Sequence, residues 1–338
     1  NTFIRETFSR DSQRDMGVPY TRSRYYHLYI NGQYWGLYQT QERSDADYAQ
    51  TYLGGVSDDW DCIKTNGDGY RTEASDGTID AFYDFHHIAV EEGFSGIYAT
   101  NYYWIRGMDE DGNRIEGSPV YLDEDNLINY MLITYFTRDP DCPVAVNSHV
   151  NNLYGLYNRV DPSGFKWFKH DGEHSMAANR SYSVTTDLTA HGWQLNSRDQ
   201  FNPMRLHQKL MEHPDYRMRW IDAVQRELID EGGALSLSNS LARWNQRQEE
   251  LDYAIQLEAA RWGHGKTKQT WLTECDYVKN SFIALSADYL LPQLRNRGWF
   301  PEINAPVFTD LVQTEDQIDV TVIGEGELYY TIDGSDPR

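Results

Sequence analysis

The sequence predicts an α+β domain whose strands gather into hairpins ahead of a long helical half, followed by a short all-β unit. Three observations carry this expectation. Asn31-Gly32 sits between two alternating runs, one of the strongest short hairpin signals. Asp161-Pro162-Ser163-Gly164 joins two further alternating aromatic runs, with proline pre-setting one turn position and glycine closing the turn. Residues 203–297 repeat apolar side chains at helical spacing, and beyond 301–306 the spacing changes to alternation.

The elements follow in order. Residues 2–16 place Phe3, Ile4 and Phe8 on one side of a helix that Gly17 ends and Val18-Pro19 keeps from continuing. Runs 25–30 and 34–40 form the first hairpin, an extended segment follows, and Cys62-Ile63-Lys64 adds a strand. Ile79, Phe82, Phe85, Ile88 and Ala89 predict a helix capped by Asp76 and reaching about Glu92. Residues 101–118, polar and glycine-containing, read as loop. Asp123 caps the next helix, and its stripe of Leu127, Ile128, Met131, Leu132, Tyr135 and Phe136 makes it a buried, rigid mount for Asp139 and Asp141. The central hairpin pairs 153–159 with 165–170, and 177–201 lacks periodicity. Helices are expected over 204–212, 216–229, 237–262 and 271–297, with breaks at Glu231-Gly232-Gly233 and Gly263-His264-Gly265. Runs 307–312, 318–322 and 328–332 alternate as strands around Gly324, Gly326 and Gly334. Three strands are too few to hide their own apolar faces, so this unit needs cover from elsewhere.

A net charge of −22 over 338 residues opposes nonspecific binding to nucleic acid or an anionic membrane, and suits divalent cations or a basic protein partner. No apolar run approaches the ~20 residues of a membrane span. The opening Asn-Thr-Phe carries neither a signal peptide nor a transit segment, which reads as part of a longer product with flanking domains. Cys62, Cys142 and Cys275 are widely spaced and read as separate thiols. Ten Trp and twenty-five Tyr beside few Lys and Arg give a polar-aromatic surface of the kind found outside the cell.

A hairpin returns the chain to where it started. Asn151 and Asn152 entering the central hairpin, Asp171 leaving it and Asp141 just before it should therefore share one mouth. One carboxylate to accept a hydroxyl proton, together with hard oxygen ligands for Mg²⁺, is the set that metal-assisted phosphoryl transfer needs. Plain turn roles for Asp141, Asn151 and Asn152 are the bland reading. His170-Asp171-Gly172-Glu173-His174 also fits the inverted zinc-peptidase pattern, a zinc hydrolase, but glycine interrupts the helix that pattern requires. Gly265-Lys266-Thr267 lacks the preceding strand and first glycine of a phosphate loop and reads as an interhelical turn.

Together these residues resemble the spore-coat protein H (CotH) family of atypical, secreted kinases over roughly residues 1–300. The resemblance rests on Gly17-Val18-Pro19, the run Tyr29-Ile30-Asn31-Gly32-Gln33-Tyr34-Trp35-Gly36-Leu37-Tyr38 with Glu42 following, Ile63-Lys64, Asp141, Asn151-Asn152 and His170-Asp171-Gly172-Glu173-His174. It implies an atypical protein-kinase-like fold with a largely helical C-lobe. The N-lobe would be incomplete, because its opening strands, phosphate-facing loop and basic nucleotide anchor would lie upstream of Asn1. The implied activity is transfer of the ATP γ-phosphate to Ser or Thr hydroxyls of a protein, with Mg²⁺ or Mn²⁺. On that resemblance Asp141 is the catalytic-loop aspartate, Asn152 or Asn151 a metal ligand, and Asp171 the counterpart of the metal-binding aspartate in the kinase DFG motif. Glu173 stands where the family usually has a second aspartate. Glu6 becomes the N-lobe helix glutamate, Glu42 a residue near the nucleotide and Lys64 a polar contact. Residues 329–338 are similar to the Ig-like module at the C-terminus of chitobiases and many secreted bacterial proteins, so 301–338 would begin such a module and the protein would be extracellular or at the cell surface. The change at Glu173 leaves an alternative, a catalytically inactive pseudokinase serving as a structural or adhesion module of a large extracellular protein.

Overall fold

The computed structural model describes residues 2–146, 148–178, 180, 182–263, 267–313 and 318–332. Helix α1 (Arg5–Asp15) leads into the hairpin β1 (Ser23–Ile30) and β2 (Gln33–Gln41), then α2 (Ala46–Tyr52), β3 (Trp60–Thr65) and β4 (Thr72–Asp76). Helices α3 (Asp80–His86), α4 (Asn101–Trp104) and α5 (Glu124–Thr137) precede the short pair β5 (Val144–Ala145) and β6 (His149–Val150), and then the central hairpin β7 (Tyr154–Asn158) and β8 (Lys166–Trp167). The helical half is α6 (Pro203–Leu210), α7 (Pro214–Val224), α8 (Leu237–Leu251), α9 (Ala254–Trp262), α10 (Lys268–Tyr277) and α11 (Ala284–Asn296), and β9 (Val307–Gln313) and β10 (Ile318–Ile323) follow. The fold mixes these helices with small antiparallel sheets, of which the largest has the order β4-β3-β7-β8.

Several expectations need correction. Asp76 does not cap a helix: it ends β4, where it pairs with Cys62, and α3 starts after Ile79. The chain between the first hairpin and β3 is helical at α2, capped by Asp45, which accepts from the Tyr48 N–H at 3.0 Å. Residues 101–118 include α4. The stretch 237–262 is two helices, α8 and α9, and not one. Among the described residues, 328–332 form no strand: alternation makes a strand only where a second one lies in register, and the β9–β10 ladder ends at Ile323. The expected turns at 264–266 and 333–338 lie outside the described residues. The three cysteines are free and buried.

Two helices organise the core. Along α5 every residue except Asp125 is buried, and Asp123 caps it by accepting from the Asn126 N–H at 3.0 Å. Helix α1 is the less expected one: residues 5–13 are all buried although most of them are polar. A charged helix survives inside a protein only if its groups are paired. Arg5 meets Glu274 at 2.5 Å, Asp11 meets Arg247 at 2.7 Å and Asp15 meets Arg243 at 2.8 Å.

Strand β8 is short and sits at a sheet edge, so its outer backbone groups need partners from elsewhere. Side-chain amides supply them. Asn126 of α5 accepts from the Trp167 N–H at 2.5 Å and donates to the Trp167 carbonyl at 3.3 Å. Gln13 of α1 donates to the same carbonyl at 2.9 Å and accepts from the Lys169 N–H at 2.8 Å. On the sheet face the indole of Trp167 lies over Gly155, where a Cβ would sit 2.5 Å from the ring. The first hairpin is anchored to α9: Glu258 accepts from the Leu37 N–H at 2.7 Å, and the Trp262 indole donates to the Trp35 carbonyl. Gly36 suits this close approach, since a Cβ would meet the Glu258 carboxylate at 3.1 Å and the Trp262 indole nitrogen at 3.3 Å.

Two measurements test this architecture. Asn126→Ala removes both bonds to buried Trp167 backbone groups and should lower unfolding free energy in urea by about 2 kcal/mol; a loss under about 0.5 kcal/mol would contradict the framing role. Residues beyond 306 expose Phe308 (72%) and Ile332 (95%). A chain ending near Pro301 should accordingly be more soluble than one ending at Arg338, and equal solubility would show that this segment covers its own apolar groups.

Candidate functional site

Helix α5 ends at Arg138, a non-glycine residue in the left-handed region (φ 47°). Its buried guanidinium holds that turn by donating to the Phe136 carbonyl at 2.9 Å and the Ser286 hydroxyl at 2.6 Å. The turn delivers Asp139 into the interior, where each carboxylate oxygen has a separate task. Oδ1 accepts from the Asp141 N–H at 3.2 Å, and Oδ2 accepts from Lys169 Nζ at 3.0 Å. Lys169 also donates to the Thr134 hydroxyl at 3.2 Å and lies 5.1 Å from the centre of the Tyr130 ring. Burial works against its charge, but Asp139, with Cys142 and Glu6 nearby, offsets this and holds the ammonium above its ordinary pKa.

Asp141 follows, and Asn152 comes to it. The Asn152 amide donates to Asp141 Oδ2 at 3.2 Å, with Asn152 itself in the left-handed region (φ 47°). Its carbonyl accepts from the Cys142 thiol at 3.2 Å, which ties the two segments a second time. Asn151 spends its backbone N–H on the Pro143 carbonyl at 2.9 Å. Of the asparagine pair, the contact with Asp141 belongs to Asn152.

Asp171 also has a left-handed backbone (φ 57°) and opens a short 3₁₀ turn, Gly172–His174. Strained backbone of this kind persists where surrounding contacts hold it. Here the buried Glu6 carboxylate holds it, accepting from the Asp171 N–H at 3.1 Å and from the Gly172 N–H. Arg10 Nε donates to the same carboxylate, and its Nη2 lies 3.3 Å from His170 Nδ1. Burial alone would raise the Glu6 pKa, but the Arg10 charge and the Gly172 N–H keep it below its ordinary value. Residue 172 packs closely on these carboxylates: a Cβ there would lie 3.1 Å from that of Glu6 and 3.6 Å from that of Asp139. Burial first, and then the neighbouring Asp171 carboxyl, push Glu173 up to about 8.

Two cavities, each of about 350 Å³, flank this turn. One lies against β2 and is lined by Arg5, Glu6, Leu37, Gln41, Asp171 and Glu173. The other is lined by Pro140, Asp141, Ser148, His174 and Tyr182. Glu42 and Lys64 line neither. Glu42 accepts from the Arg22 N–H at 2.8 Å and the Tyr52 hydroxyl at 2.6 Å at the foot of the first hairpin, and Lys64 pairs with Glu73 across β3 and β4 at 3.3 Å. The two histidines of the zinc-like pattern have different neighbours: His170 packs on the Tyr154 ring and His174 faces the Asp141 cavity. Among the described residues no group of three His, Cys, Asp or Glu side chains is arranged to hold a metal ion.

Sequence reasoning missed Arg5, Gln13 and Lys169. For Lys169 a signal existed, because a lysine inside a run of Phe165, Trp167 and Phe168 has to find a buried carboxylate. Replacing Glu6 with Leu would leave Arg10 and two backbone donors without their acceptor, and should cost about 3–5 kcal/mol of stability in chemical denaturation. A cost below about 1 kcal/mol would show that the clamp on residues 171–172 is dispensable.

Comparison with curated proteins gives no match. The family model described as CotH kinase protein matches residues 1–290, a span that includes α1, the first hairpin, the Asp141 loop and the Asp171 turn. The chain belongs to the CotH kinase protein family.

Proposed function

We propose that residues 1–300 form a kinase domain that transfers the ATP γ-phosphate to Ser or Thr hydroxyls of a protein. The observation that carries the proposal is the 3.2 Å contact between Asn152 and Asp141, held in place by the buried Asp139 beneath it. It joins an acid able to accept a hydroxyl proton to an amide oxygen donor for a cation, as phosphoryl transfer requires.

In this reading the acceptor hydroxyl enters the cavity of Asp141, which orients it and takes its proton. The Asn152 amide fixes the rotamer of that carboxylate. Asp171 and Glu173 form a donor set of hard oxygens, which suits Mg²⁺ or Mn²⁺ better than zinc. Together with the Asn152 oxygen they would hold the ion, whose contribution when bound is to neutralise charge on the phosphates. Glu6 acts through backbone, setting where Asp171 stands. Arg5 lines the same cavity and supplies a positive charge beside these carboxylates. Glu42 and Lys64 are proposed to shape the nucleotide side through the base of the first hairpin and the β3–β4 pair. Residues 301–338 are proposed to begin an Ig-like module, and the aromatic, acidic composition supports an extracellular or cell-surface location.

The test is incorporation of labelled phosphate from ATP with Mg²⁺ or Mn²⁺ into a protein acceptor. Asp141→Asn should lower the rate about 10²–10⁴-fold, the usual contribution of a positioned base. Asp171→Asn should abolish metal-dependent nucleotide binding, while His174→Ala should retain it. Full activity in Asp141→Asn, or stoichiometric zinc lost on changing either histidine, would overturn the proposal.

A further inference from the structure

We infer that the buried Asp139–Lys169 pair is a positioning device that sets Asp141 and Asp171 relative to each other. The inference rests on the kinase reading for its functional meaning, but the geometry stands by itself. Both side chains are fully buried, and neither enters a cavity where it could touch a ligand. Asp139 holds the Asp141 backbone with one oxygen and Lys169 with the other. Lys169 lies two residues before Asp171, and its backbone N–H is fixed by Gln13. One short chain of directional bonds therefore runs from the Asp141 amide to the segment after β8 that carries Asp171, with Asp139 and Lys169 thirty residues apart in sequence.

A pair that merely filled space would be replaced without loss by apolar side chains, because desolvating two charges costs much of what their attraction returns. The ions provide direction instead. Lys169 Nζ is aimed by Asp139, by the Thr134 hydroxyl and by the Tyr130 ring, all of them on α5 or at its exit. Both segments are thereby referred to one rigid helix. An apolar pair would keep the packing and lose that reference.

The informative variant is Asp139→Leu with Lys169→Met, which removes both charges and keeps side-chain bulk. A milder one, Asp139→Asn, keeps shape and cuts the ion pair, and guards against failure of the first to fold. Hydrogen exchange resolved by residue is measured on each, with Tm and phosphotransfer kinetics. For the double variant Tm should stay within a few degrees of the parent. Exchange at Asp171 and Gly172, whose N–H groups are bonded to Glu6 and to neither substituted side chain, should rise at least tenfold. The same direction is expected in Asp139→Asn. kcat, expressed per folded molecule, should fall at least tenfold while KM for ATP stays within about twofold, and the retained Tm separates this from loss of folded protein. Unchanged exchange at residues 171–172 with unchanged kcat would overturn the positioning role. If the parent transfers no phosphate, the kinase reading falls, and the exchange result still decides whether the pair couples the two segments.

Discussion

A carboxylate taken out of water must be surrounded by donors, and the rest of this structure depends on how Glu6 meets that requirement. It takes Arg10 from its own helix and two consecutive backbone N–H groups from residues 171 and 172. The last two are what matter for the proposed site. A left-handed aspartate followed by a glycine is not a conformation the chain would hold unaided, and Glu6 fixes it by hydrogen bonding. The position of Asp171 is thus determined from a helix more than 160 residues away in sequence.

The same logic extends along α1. Gln13 serves the outer edge of β8 as another strand would, Arg10 reaches toward His170, and Asp11 and Asp15 hold α8 through Arg247 and Arg243. A helix with so many polar residues makes a poor hydrophobic core element, and it is buried because its groups are partners for irregular backbone that ordinary secondary structure leaves unpaired. Helix α5 is the complement, apolar over most of its length and polar where Asn126 meets β8 and where Asp139 leaves it. The candidate site lies between these two helices, one setting Asp171 and the other setting Asp141.

Much of this was legible in the sequence. Turn chemistry located both hairpins, and the apolar stripe and Asp123 cap located α5. What escaped was everything that depends on side chains replacing backbone partners. The polar run in α1 has no apolar period beyond Phe8, so its burial on all sides could not be read from periodicity. Strand β4 hides in a polar stretch and is defined by pairing with β3. Residues 328–332 failed in the opposite sense, since they have the alternation of a strand and lie outside the β9–β10 ladder. Lys64 illustrates the limit of reading one residue at a time, because its partner Glu73 is fixed by strand register.

The central claim is that the turn at Asp171 and the loop at Asp141 meet as one phosphoryl-transfer site. The most direct measurement is a crystal structure with Mn²⁺ and a non-hydrolysable ATP analogue, locating the metal by its anomalous scattering. The account predicts a metal peak within about 2.3 Å of a carboxylate oxygen of Asp171, with the terminal phosphate directed toward Asp141. A metal bound by His170 or His174 without Asp171, or a nucleotide seated away from both aspartates, would contradict it.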